Sequence, residues 1–413
     1  MADEEFRKER LNQVIDLARI YRGWTKGELA NALGRDASNM MPESGNPKLD
    51  LVFGLAEVLD WPVGDVAESL CRQDEPRPGP GETFDSVNDE SLAAHASGHY
   101  KGMLACAAKM LQLARNPKER AQAALRMAGA FDGLGRYSKS LEWMQAALTE
   151  PNLPVSSRAL LQANLGNAHY SVWHLVEARA IAAELLEPER AADFEGRTGA
   201  VALGLAHYVH GHSSRRMIPL DASRSRFFAA SAKAHLEAAI RAYGRLLEET
   251  GEEKHGGVAN TCIGGIIEVE VELGSLSPNE GAERILAGLD SVIDVTSHPR
   301  GDWLESWGWW AIFGCNIALR HLAGEDLHRF MAVFTNKAME VADRQDNWAM
   351  RERAFTLEHF RKLRVAEAAD VQAASEWVLD LEDIRTLAGT MGRFPQFRSL
   401  GWEILRSARV VEA

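Results

Sequence analysis

The sequence predicts an all-α protein in two parts: a small N-terminal five-helix domain and a long C-terminal array of paired helices. Three observations carry this. No segment alternates apolar and polar residues with period two for long enough to form a sheet. From residue 84 onward the chain is a series of Ala- and Leu-rich stretches of helical periodicity with short breaks. Between the parts, DEPRPGPGE at residues 74–82 sets three prolines and two glycines among charges, a linker composition. The expected boundaries are 1–73 for the first domain, 74–83 for the linker and 84–413 for the array.

Composition narrows the function classes. At 413 residues, 46% hydrophobic and 25% charged, the chain buries a sizeable core and is not a disordered or low-complexity protein. No apolar run approaches the roughly 18 residues of a membrane helix. The start, MADEEFRKER, carries acids where a secretory signal has a basic and then an apolar region, so the expectation is a cytoplasmic protein without a membrane partner. Cys71, Cys106, Cys262 and Cys315 lie far apart with no CxxC, which indicates neither a zinc site nor a disulfide framework. The net charge of −13 argues against nonspecific coating of nucleic acid or anionic lipid. No GxSxG, phosphate loop or HExxH occurs, so neither an enzyme nor a cofactor is expected. His207, His210 and His212 in HYVHGH are a weak metal cue, because helical ligands need i, i+3 or i+4 spacing and a third partner.

Within residues 8–72, Thr25 is suited to cap a helix, with Glu28 three residues on completing a capping box. A short helix carrying Leu29, Ala30 and Leu33 then reaches Gly34, Asp36 caps a second, and Asn46-Pro47 breaks the chain before the apolar helix Leu49 to Leu59. The order TxxELAxxLG followed by GNPxLDx(4)LAxxL resembles the Cro and phage-repressor (XRE) type of helix-turn-helix. That resemblance implies a double-stranded DNA operator as partner, with Ala37, Ser38, Asn39 and Met41 facing bases and Thr25, Lys26, Arg35 and Lys48 facing the backbone. Two features depart from it. Pro42 stands where the recognition helix normally continues, and residues 1–72 carry nine basic against thirteen acidic residues, a net of −4 that weakens phosphate attraction.

In the array, Leu125 to Pro154 and Ala163 to Pro188 share a layout: small residues one turn before an aromatic or His, a break, then residues spaced for a second close-packed helix. Their equivalent positions Ala128 and Gly166 are 38 residues apart, and the segments resemble tetratricopeptide repeats, which have a period of roughly 34. Further pairs are legible at 84–117, 195–250, 256–294, 300–343 and 346–391, with a closing helix at 395–409, about seven pairs of a curved solenoid. Residues 210–226, HGHSSRRMIPLDASRSR, read as a polar insertion too irregular for repeat packing.

By that resemblance the first helix of each pair presents residues to a concave groove, with Arg126, Asn164, Asn167 and Tyr170 at such positions. Trp303, Trp307 and Trp310 lie on one helical face and Trp309 and Phe313 on another; one face suits an inter-helix core and the other suits a pocket, with the first three residues as groove candidates. The whole order is similar to peptide-sensing transcription regulators, which implies a homodimer, a peptide, protein or small ligand in the repeat groove, and DNA binding that answers to it. The alternative is a non-enzymatic interaction scaffold whose helix-turn-helix no longer reads DNA.

Overall fold

Glycine-marked turns and capped helix starts divide the chain into consecutive helices, as the computed structural model describes them for residues 2–36, 40, 42, 46–71, 76–368 and 377–411. They fall into two units, Met1–Pro76 and Arg77–Ala413. The first contains α1 (Ala2–Arg22), α2 (Lys26–Ala32), α3 (Leu49–Leu59) and α4 (Val63–Cys71). Their apolar faces meet in a core of Leu11, Val14, Ala18, Leu29, Leu51, Leu55 and Val66, all buried. Each such leucine contributes about 1.5–3 kcal/mol. Asp60 ends α3 in the left-handed region at φ 54° and accepts from the Tyr21 hydroxyl at 2.9 Å, which ties the end of α1 to the end of α3. The fifth helix expected here falls on Ala37, Ser38, Asn39 and Met41, outside the described residues.

The second unit is a tetratricopeptide-like helical repeat of seven pairs among the described residues. They are α5 (Phe84–Ala96) with α6 (Tyr100–Leu113), α7 (Pro117–Gly133) with α8 (Tyr137–Leu148), and α9 (Val155–Ser171) with α10 (Leu175–Leu185). After the single turn α11 (Pro188–Ala191) come α12 (Gly196–Met217) with α13 (Ser225–Thr250), and α14 (Glu253–Leu273) with α15 (Pro278–Leu289). Then follow α16 (Asp302–His321) with α17 (Gly324–Gln345), α18 (Trp348–Ala368) with α19 (Leu381–Arg393), and the closing α20 (Arg398–Arg406). Stacking is of the solenoid kind, since α9 packs on α12 and α14 on α16, first helix to first helix. Small residues permit the approach: a Cβ at Gly257 would meet the Asp302 carbonyl carbon at 2.4 Å, and one at Gly264 the Trp310 ring at 2.5 Å.

One expectation is corrected, and two local features are added to the all-α reading. Residues 210–217 are not an irregular insertion but the last turns of α12, with His210, His212, Ser213, Ser214 and Arg215 buried. Their polarity is internal: the Arg215 guanidinium meets Glu268 at 2.6 Å, and Glu268 also accepts from Asn316 at 3.2 Å and pairs with Arg320. The second half of the Pro-rich linker is anchored, because Glu82 accepts from the Gly79 N–H and from Lys109 of α6, both at 2.7 Å. A two-stranded parallel sheet, β1 (Trp377–Leu379) with β2 (Ala408–Val410), also forms, too short to show a period of two in the sequence.

Candidate functional site

In the first unit the Thr25 hydroxyl caps α2, accepting from the Glu28 N–H at 3.3 Å while Glu28 accepts from the Thr25 N–H at 2.7 Å. These bonds hold the Glu28 carboxyl below the ordinary range. Lys26 and Lys48 are exposed, with Lys48 at the start of α3. Arg35 is differently placed: its side chain is mostly covered and meets the exposed Asp50 of α3 at 2.7 Å, so this cation is paired within the head.

In the second unit, His95 of α5, Tyr100 at the start of α6, Asp132 of α7, and Asp302 and Glu305 of α16 lie close enough for their charges to interact. Asp132, Asp302 and Glu305 contribute three carboxyls, and each influences the titration of Tyr100. Burial pushes Asp132 up to about 6, and burial with the nearby Asp302 carboxylate pushes Glu305 up to about 7. Glu305 is held in place by the Trp309 indole N–H at 3.0 Å and the Asn347 amide at 2.8 Å. Burial also lowers His95 of α5, although the Asp302 charge opposes it.

Two arginines form a second group. Arg216, near the end of α12, lies 3.8 Å from the Tyr170 ring centroid and 4.4 Å from that of Trp173, and donates to the Tyr170 carbonyl oxygen at 3.0 Å. Arg353 of α18 lies 4.9 Å from the same Trp173 ring. Burial lowers both, Arg216 to about 10.

The residues expected in the groove divide. Tyr170 joins the arginine cluster, and Arg126 donates to Asn88 at 3.1 Å on the α5 side. Asn164 turns its amide back to the Leu160 carbonyl oxygen of its own helix at 2.8 Å, and Asn167 is half-buried. Trp307 and Trp310 are corrected: both are 93% buried in the largest core cluster, with the Trp310 N–H donating to the Asn260 carbonyl at 2.7 Å. Trp303 of that face is 45% exposed. Trp309, from the other face of the same helix, is partly buried against that cluster and donates to Glu305. Glu305, Asp132, Arg216, Arg353 and Trp173 were not anticipated; the signal for Trp173 was its place at the turn where the neighbouring pairs carry Gly98 and Gly135.

Among the described residues no group of His, Cys, Asp and Glu is placed to hold a metal ion, and no helix is long and apolar enough to cross a membrane. The His207 and His235 rings instead approach each other, Nδ1 to Nδ1, at 3.0 Å.

The fold is thus a small helical head unit and a tetratricopeptide-like array. No family model and no curated protein matches the chain. Among solved structures it is similar to Bacillus thuringiensis PlcR in complex with the peptide PapR7 and DNA, at 15% identity and a TM-score of 0.35, over 70% of this chain and 99% of that one.

Proposed function

We propose that the protein is a DNA-binding transcription regulator whose helical-repeat unit dimerises and senses a ligand on its concave side. The observation that carries the sensing half is unbalanced charge: Arg216 and Arg353 have no carboxylate within ion-pair distance among the described residues, while Asp132, Asp302 and Glu305 are driven towards protonation. Partly buried charge without a partner costs folding free energy, and a ligand of complementary charge recovers it. Asn164 and Asn167 are the proposed peptide-backbone contacts, and their joint replacement by Ala should remove the ligand response while leaving ligand-free DNA binding intact.

The reading half rests on the capping box at Thr25, the closed core of the head and the exposed Lys26 and Lys48. Asn39, with Ala37, Ser38 and Met41 beside it, is the proposed base-edge reader. The test is selection of bound fragments from genomic DNA by the full chain, followed by salt titrations. Lys26→Ala and Lys48→Ala should each weaken binding to all sequences and reduce the salt slope by about 1, and Asn39→Ala should relax base preference. If no fragment is enriched, the interaction-scaffold reading takes its place. That second reading is favoured by Arg35, whose pairing with Asp50 leaves one cation fewer for phosphate in a head of net negative charge.

A further inference from the structure

Each of the first three helix pairs turns through one left-handed residue, and in one of the three it is not glycine. Gly98 stands between α5 and α6 at φ 70°, and Gly135 between α7 and α8 at φ 69°. At the same place between α9 and α10 stands Trp173, at φ 65°. A left-handed backbone strains an L-residue, and bulky side chains are rare there. Such strain persists where something else holds it, and here the indole is the common platform of two guanidiniums. Arg216 reaches it from α12 and Arg353 from α18, at 4.4 and 4.9 Å from the ring centroid.

Neither cation forms an ion pair with a described residue, unlike several of their neighbours. Arg215 has Glu268, Arg320 has Glu268 and Glu272, and Arg351 has Asp343 and Asp346. Arg216 makes one hydrogen bond, to a carbonyl, and Arg353 makes neither a hydrogen bond nor an ion pair with any described residue. Glu352, whose charge both of them feel, is itself buried and accepts from the Thr356 hydroxyl at 2.8 Å. Stacking on an aromatic face stabilises a guanidinium and leaves its in-plane N–H donors available at the ring's edge. Two forks of such donors converging on one ring match an oxyanion, which accepts charge-assisted hydrogen bonds from both.

We infer that Arg216, Arg353 and Trp173 form an oxyanion seat between α12, α18 and the turn after α9, which takes the carboxylate or phosphate group of a ligand. This rests on the proposed ligand-sensing role and adds the chemistry of the group recognised.

The test is thermal unfolding of the full chain at constant ionic strength set with chloride, titrated separately with inorganic phosphate, with a pool of random heptapeptides bearing a free C-terminal carboxylate, and with the same pool amidated. Mass action stabilises the native state by RT ln(1 + [L]/Kd). The parent should gain melting temperature with phosphate or with the free-carboxylate pool, and which one acts identifies the source. The amidated pool should give no gain. Arg353→Met and Trp173→Gly should both abolish the gain, and Arg353→Met should melt no lower than the parent without ligand. It removes an unpaired, partly buried charge. An unchanged gain in the variants, no gain in the parent with either oxyanion, or a large drop in the ligand-free melting temperature of Arg353→Met each overturns the seat. Selection of DNA fragments is a separate measurement: a chain that binds the oxyanion but enriches no DNA keeps the seat and loses the regulator.

Discussion

Arg393 at the end of α19 lies 3.7 Å over the Trp348 ring and donates from Nε to the Leu134 carbonyl oxygen at 3.3 Å, so the seventh helix pair grips the turn of the second. Tyr137, just past that turn, packs against Phe394 at 5.2 Å between ring centroids. Contact between pairs so distant in order closes the array on itself.

Gly135 is the point where that closure is tightest. It adopts φ 69°, and a Cβ there would lie 2.7 Å from the Trp348 ring and 2.8 Å from the Arg393 side chain. Gly135→Ala should therefore lower stability by about 2–3 kcal/mol, from left-handed strain and displacement of the indole together. Urea unfolding measures the loss, and amide exchange should quicken in α19. Unchanged stability would mean that this turn is not held as described.

The local rules were legible and the long-range ones were not. Thr25 with Glu28 and the glycine turns at 98 and 135 are features of a few adjacent residues, and each appears where the sequence puts it. Helix pairing followed from the spacing of small and large apolar residues. The grip of Arg393 on Leu134 joins positions 259 apart and leaves no periodic trace. Residues 210–217 misled for a different reason: a polar stretch reads as surface unless the carboxylate that buries with it is known, and Glu268 lies 53 positions from Arg215. On the tryptophan helix two faces are legible from spacing, but which of them packs in the core is decided by the neighbouring helices.

That assignment has a direct consequence. Trp310→Ala should lower stability by about 3–5 kcal/mol, because it empties a core site against Gly264 and Gly288 and removes the indole hydrogen bond to the Asn260 carbonyl. Trp303→Ala, at a 45% exposed position, should fall within about 1 kcal/mol of the parent. Chemical denaturation of the two variants orders them, and equal losses would put Trp303 in the core as well.

Glu268 joins three helices, being on α14 and pairing with Arg215 of α12 and Arg320 of α16. Glu268→Ala leaves Arg215 buried with no counter-charge and should cost about 3–5 kcal/mol. Replacing Glu268 and Arg215 together by Leu and Met should recover much of that, since the penalty belongs to the uncompensated charge rather than to the absent pair. A double variant as unstable as Glu268→Ala would argue that the pair is needed for the geometry of α12.

The Asp132 and Glu305 carboxyls set a pH dependence with a definite sign. Glu305 ionises near 7 and Asp132 near 6 in the folded chain, each above the roughly 4 of an unfolded carboxyl. Between those values the native state holds more protons than the unfolded one, so stability falls as pH rises from about 4 to about 7 and levels off beyond. Glu305→Gln removes the group that dominates the upper part of this window. It keeps an oxygen to accept from the Trp309 indole and the Asn347 amide, which hold Glu305 at 3.0 and 2.8 Å. The variant should be more stable than the parent by roughly 1–3 kcal/mol at pH 8 and close to it at pH 4. Thermal melts at the two pH values decide this: a gain confined to low pH, or equal at both, would show that Glu305 ionises in the ordinary range and that its surroundings do not press it towards protonation.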